Sequence, residues 1–178
     1  MPHDPHERFM AEALALAQKG HAEGGCPIGA LLVDDTGRIL GKGHNALVQE
    51  GNPIVHGEMA ALRDAGRLPN RHATTMYTTL QPCFMCTGAI MQLGIPRVVI
   101  GDATNASSDD TIRVLRSRGG TRLRVEHDHL HAAAVSISRR VSDANARSSG
   151  SKTGAAVGTR TSRGPVARSC GPRYRCCR

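Results

Sequence analysis

The sequence contains His56-Gly57-Glu58 and, farther along, Pro82-Cys83-Phe84-Met85-Cys86. An imidazole and two thiolates provide three of the four tetrahedral ligand positions of zinc. Three protein ligands with one open position is the arrangement of a catalytic zinc site, whereas a structural site has four. The spacing therefore predicts that His56, Cys83 and Cys86 bind one Zn²⁺, and it leaves the fourth position for water.

Glu58 follows two residues after His56 and is predicted to move protons beside the metal rather than to bind it. The combination of His-x-Glu with Pro-Cys-x-x-Cys is typical of zinc deaminases. Each of these two motifs alone is less specific; a Cys-x-x-Cys pair, for example, also occurs in structural zinc sites and in redox proteins. A structural site would need a fourth ligand, and the candidates His72 and Cys26 lie at no ligand-like spacing.

The hydrophobic pattern around these motifs alternates between helical and strand periodicity. Apolar residues at helical spacing and flanking glycines predict four helices, over residues 5–20, 54–65, 83–93 and 110–118. Runs of β-branched and apolar residues predict five strands, over residues 28–33, 38–43, 75–80, 97–101 and 121–126. The first two strands are joined by a tight turn and form a hairpin. This order of elements predicts an α/β fold.

The charge of the chain is divided unevenly along its length. Residues 1–138 hold 13 basic and 14 acidic residues, a net charge of −1, whereas residues 139–178 hold 10 basic residues and one acid, a net charge of +9. We therefore expect a folded domain over residues 1–138 and a basic, disordered tail over residues 139–178. A nucleic-acid partner would need a basic folded surface, so only the tail favours one.

The chain has no apolar run of ~18 residues that could span a bilayer, and its N-terminus does not resemble a secretory signal. A cytoplasmic protein is predicted.

The chain resembles the cytidine deaminase-like superfamily and, within it, the fungal-type cytosine deaminase family that acts on the free base. The resemblance covers roughly residues 6 to 126 and is carried by residues 23–29, 41–45, 56–58, 78–83, 86–90 and 94–101. It implies a three-layer α/β/α sandwich around a mixed five-stranded sheet, a homodimer, and one Zn²⁺ per subunit. It also implies that Asn45 and the backbone of Gly57 hydrogen-bond the edge of a pyrimidine base. The implied reaction is hydrolysis of cytosine to uracil and ammonia in pyrimidine salvage.

The chain departs from this family at the residues that cover the base. Residues 102–107 lack the family's aromatic residue, and the C-terminal part has neither a Trp nor, beyond Asp143, an acid after Asp128. Other substrates therefore stay open: guanine, creatinine, or adenosine in tRNA. A zinc-stabilised interaction module is the non-enzymatic alternative.

Overall fold

A computed structural model describes residues 5–69, 71–103, 110–117 and 122–125. The helices are α1 (Pro5–Ala22), α2 (Leu47–Glu50), α3 (Gly57–Ala65), α4 (Phe84–Gln92) and α5 (Asp110–Ser117). The strands are β1 (Gly29–Asp34), β2 (Ile39–His44), β3 (Thr74–Leu80), β4 (Arg97–Asp102) and β5 (Arg122–Val125).

The strands in the described part of the chain form one sheet in the order β2-β1-β3-β4-β5. Strand β1 is antiparallel to β2 and β3, whereas β3 is parallel to β4 and β4 to β5. The two parallel pairs are connected by α4 and α5, because parallel neighbours need a crossover connection. The predicted mixed five-stranded sheet is confirmed.

Helices cover both faces of the sheet, because successive side chains of a strand point to opposite sides. On one face, Leu31 and Val33 of β1 pack in a core with Phe9 of α1. On the other face, Ala30 and Leu32 pack in a core to which α3, α4 and α5 contribute buried side chains. The predicted three-layer α/β/α arrangement is confirmed.

Two glycines of β2 allow α3 to pack unusually close to the sheet. A Cβ atom at Gly41 would collide with the backbone of α3 at Ala61 and Ala65, and one at Gly43 would lie 2.5 Å from Cβ of Ala60. The absence of side chains at these two positions sets the distance between helix and sheet.

The helix predicted over residues 54–65 was wrong at its N-terminus, because the structure begins α3 at Gly57. Residues before it form a turn around Asn52, whose side-chain and main-chain oxygens accept hydrogen bonds from the amides of Ile54 and Val55. His56 has an extended backbone, with ψ at 163°, and its carbonyl accepts the first helical hydrogen bond. His56 therefore flanks the helix at the position that precedes its first turn.

The other predicted boundaries agree with the structure more closely. Helix α1 continues to Ala22 because Gly20 packs against the ring of His44 instead of ending the helix. Helix α4 starts at Phe84 and ends at Gln92, and the short α2 was not predicted. The strands differ from prediction by at most one residue at each end. The tail, residues 139–178, lies outside the described residues, as do residues 118, 121 and 126.

Among the described residues, no helix has both the length and the apolar character needed to cross a bilayer.

Candidate metal centre and active site

The three predicted zinc ligands lie at the starts of two neighbouring helices. His56 precedes the first turn of α3, Cys83 precedes the first turn of α4, and Cys86 lies within that turn. Helix α4 begins at this point because β3 ends at Leu80 and Pro82 follows shortly after, and proline is tolerated at a helix start. Both helices point their unpaired amide groups and positive dipole ends toward this region.

The structure brings the three side chains together. The Cys83 sulfur lies 3.5 Å and the Cys86 sulfur 3.7 Å from Nδ1 of His56, and the two sulfur atoms are 3.7 Å apart. Zinc bonds of ~2.3 Å to sulfur and ~2.0 Å to nitrogen in a tetrahedron separate neighbouring ligand atoms by roughly 3.5 to 3.8 Å. The observed spacing therefore fits zinc, and this is the one cluster of its kind found in the described part of the chain.

Neighbouring groups raise the pKa values within the cluster. The neighbouring Cys83 thiol and burial raise the pKa of the Cys86 thiol far above its usual range. A hydrogen bond with Cys83 raises the pKa of His56, which favours the charged imidazolium. A divalent cation among these groups has the opposite effect, because it stabilises thiolate and neutral imidazole. Zinc binding at this cluster would therefore release protons.

Glu58 lies in the first turn of α3, adjacent to the cluster, and is 3% exposed. Its carboxyl contacts the Cys86 thiol and accepts a hydrogen bond of 2.9 Å from the hydroxyl of Thr78. Burial is the main cause that raises the pKa of Glu58. A buried carboxyl with a raised pKa, next to a metal site, is suited to accept and return a proton.

Asn45 and Gly57 both lie next to the carbonyl oxygen of Ile28. The backbone amide of Asn45 donates a hydrogen bond of 2.8 Å to that oxygen, and a Cβ atom at Gly57 would lie 3.1 Å from it. The side chain of Asn45 is buried, and its Oδ1 accepts a hydrogen bond from the amide of Leu47. This contact supports the start of α2 and directs the acceptor end of the side chain toward the backbone. The substrate-binding role of both residues stays a prediction.

Sequence reasoning missed the partner of Glu58. Thr78 is the fifth residue of β3 and lies on the face of the sheet that α3 covers, as does Met76. The period-2 alternation of β3 could have assigned Thr78 to that face, but the contact joins residues 20 positions apart and needs the packing of α3 to be seen. His44 lies outside the cluster, and its Nε2 lies 3.3 Å from a carboxylate oxygen of Glu23.

Comparisons with known proteins agree with this geometry. Residues 3–102 match the model of the cytidine and deoxycytidylate deaminase zinc-binding region. The chain is 45% identical over 104 residues to cytosine deaminase of Candida albicans, covering 57% of this chain and 69% of that protein. It is 36% identical over 149 residues to tRNA-specific adenosine deaminase of Streptococcus pyogenes, covering 77% of this chain and 91% of that protein.

The structure is also similar to a solved structure from studies of A-to-I editing by deaminases at the wobble position of transfer RNA. The TM-score is 0.61 with 27% identity, and the match covers 74% of this chain and 99% of the other. The matched zinc-binding region and the His/Cys/Cys cluster agree on the predicted cofactor, one Zn²⁺ per subunit. With its zinc cluster at two helix starts and its three-layer fold, the chain belongs to the cytidine and deoxycytidylate deaminase zinc-binding family.

Proposed function

We propose that this protein is a zinc-dependent hydrolase that removes the exocyclic amino group of a free nucleobase, with cytosine converted to uracil and ammonia. The observation that carries the proposal is the buried carboxyl of Glu58 beside the cluster of His56, Cys83 and Cys86. Identity with the cytosine deaminase of Candida albicans supports cytosine as the substrate. We further propose a homodimer located in the cytoplasm.

In this proposal His56, Cys83 and Cys86 hold the zinc ion. When bound, zinc supplies Lewis-acid activation of water, which makes water a nucleophile near pH 7. The first turns of α3 and α4 add their dipoles to the same point, which favours the thiolate form of both cysteines.

Glu58 carries two protons, each in one uptake and one delivery. Its carboxylate takes a proton from the attacking water as the oxygen bonds to C4 of cytosine, and it delivers this proton to N3. It then takes the remaining proton of the new hydroxyl and gives it to the amino group, whose C4–N bond breaks to release ammonia. One carboxyl can serve all four transfers because each delivery regenerates the carboxylate, and burial, which raises its pKa, favours the protonated form that donates.

Asn45 and Gly57 orient the base. Because Oδ1 of Asn45 accepts from the amide of Leu47, the side-chain nitrogen is the group left to donate to the substrate. A donor at this position selects a base with an acceptor on its edge, such as the carbonyl oxygen of cytosine. The backbone of Gly57, the first residue of α3, is proposed to hydrogen-bond the edge of the base.

Deamination of adenosine in tRNA is the second candidate. It is supported by the Streptococcus relative, whose length is covered almost completely by the match. An enzyme that flips a nucleotide out of RNA needs a basic surface. Residues 1–138 have a net charge of −1, so the basic residues of 139–178 would have to supply that surface. Guanine and creatinine are further candidate substrates. A zinc-stabilised interaction module predicts bound zinc without ammonia release.

The test is ammonia release by the zinc-loaded full-length chain from cytosine, guanine, creatinine and a tRNA substrate, in parallel with Glu58→Gln. We expect conversion of cytosine, followed by its ultraviolet absorbance, to be abolished in the variant while the zinc content stays the same. Release from tRNA alone would establish the second candidate. Full zinc occupancy without release from any substrate would refute an enzymatic role.

A further inference from the structure

We propose that Thr78 is a positioning residue that holds the Glu58 carboxyl in place, an inference that rests on the proposed function. The hydroxyl oxygen of Thr78 lies 2.9 Å from Oε1 of Glu58. Both side chains are buried, with Thr78 completely inaccessible and Glu58 3% exposed. A hydrogen bond from a buried neutral donor to a buried carboxylate is shielded from water. It is therefore strong, and it restrains the orientation of the carboxylate.

The backbone that carries Thr78 is held on both sides. Within β3, Thr78 is paired with Ala30 of β1 and with Ile100 of β4. A residue in a central strand moves less than one in a loop, because its neighbours are fixed by hydrogen bonds along both edges. Glu58, in contrast, lies in the first turn of a nine-residue helix and reaches the site through a longer and more flexible side chain. The strand therefore provides a rigid reference for the carboxyl.

The hydroxyl of Thr78 has a second acceptor. The carbonyl oxygen of Leu80 also lies 2.9 Å from the Thr78 oxygen. A hydroxyl carries one proton and two lone pairs, so it donates to one of these acceptors while its oxygen remains able to accept. When Glu58 holds the transferred proton, Thr78 can accept from Glu58 and donate to Leu80. The contact with Glu58 is thus available before and after each proton transfer.

The test compares Thr78→Val, which keeps the shape and removes the hydroxyl, with Thr78→Ser, which keeps the hydroxyl. Thr75→Val is the matched control, because Thr75 is a buried threonine of the same strand on the opposite face. We expect Thr78→Val to lower kcat at least tenfold with KM within threefold and zinc at one per subunit. Thr78→Ser and Thr75→Val should keep kcat within threefold of the parent.

A second readout does not depend on turnover. The infrared bands of the Glu58 carboxyl are assigned from the difference between the parent protein and Glu58→Gln, and they should shift in Thr78→Val but not in Thr75→Val. If Thr78→Val does not fold, Thr78→Ala is measured in the same way. An unshifted band, or a zinc-loaded variant with kcat within threefold of the parent, overturns the proposal. If the parent releases ammonia from no substrate, the proposed function fails, while the infrared bands still decide whether Thr78 holds Glu58.

Discussion

Replacing Gly41 with alanine should displace α3 and thereby damage both stability and activity. The added Cβ atom would lie 2.7 Å from Cβ of Ala65 and would collide with the backbone of α3 at Ala61. Carbon atoms in good contact are ~3.5 to 4.0 Å apart, so the helix must move by about 1 Å. Rotation of a side chain cannot relieve this, because the colliding atoms include the backbone of the helix.

The magnitude follows from this displacement. Overpacking of a core costs about 1 to 3 kcal/mol, and about 1 kcal/mol changes Tm by roughly 2 to 4 °C in a chain of this size. We therefore expect Gly41→Ala to lower Tm by about 2 to 12 °C. Because α3 carries Glu58 and follows directly on His56, a shift of ~1 Å should also reduce kcat by about a hundredfold.

The assay is thermal unfolding by circular dichroism together with ammonia release. Gly88→Ala is the control, since a Cβ at this exposed helical position would meet no atom within 4 Å beyond the backbone of its own helix. Alanine is favoured over glycine in a helix by about 1 kcal/mol, so the control should raise Tm by a few degrees. A Gly41→Ala protein with the Tm and kcat of the parent would show that β2 does not set the position of α3.

Three further predictions concern the metal, the substrate and the hairpin. Cys86→Ser should lose zinc on dialysis, as measured by metal content. Zinc should raise the Tm of the parent, because a thousandfold excess of zinc over its Kd stabilises the folded protein by about 4 kcal/mol, and this rise should be absent in the variant. Asn45→Asp keeps the oxygen that supports α2 but removes the donor and buries a carboxyl group at a position that is 1% exposed, so Tm should fall. At a temperature well below the Tm of the variant, kcat/KM should fall at least tenfold, and an unchanged kcat/KM would exclude Asn45 from substrate binding. Asp34 accepts hydrogen bonds from Thr36 and Arg38, and the Thr36 hydroxyl is the main cause that lowers the pKa of Asp34 below 3.8. The carboxylate stabilises the folded protein at every pH above the pKa of Asp34 in the unfolded chain, and this stabilisation is lost as the pH falls through the lower pKa of Asp34 in the folded protein. The Tm difference between the parent and Asp34→Ala should therefore shrink from pH 6 to pH 2.

The zinc cluster could be predicted from the sequence because its chemistry is local. Cys83 and Cys86 are three residues apart at a helix start, a spacing that places both on one side of a single turn. His56 lies at the start of another helix, but its position two residues before Glu58 indicates a catalytic metal site once the cysteines are considered with it. The sheet could also be predicted, since its strands alternate with helices in a regular order.

The loop before α3 and the partner of Glu58 could not be predicted in this way. Ile54 and Val55 extend the apolar pattern of the helix backward, and nothing in that pattern shows that Asn52 forms a turn with their amides. The contact between Thr78 and Glu58 depends on the distance between α3 and β3. Glycines of β2 allow α3 to approach the sheet closely. In the hydrophobic pattern of the sequence they appear only as small residues, so the pattern does not reveal this approach.

The position of the cluster follows from the topology of the sheet. In open α/β sheets, ligands bind beyond the carboxyl ends of the strands, where helices begin. Cys83 and Cys86 lie beyond the carboxyl end of β3, and α3 brings His56 and Glu58 to the same place because β2 allows it to approach closely. Asn45 comes from a separate segment, after the edge strand β2. In the proposed function, Asn45 therefore contacts the base from a segment that holds no zinc ligand, whereas Gly57 lies between His56 and Glu58. Substitutions of Asn45 that change substrate choice should leave the zinc content unchanged, and measuring both in one set of Asn45 variants would test that separation.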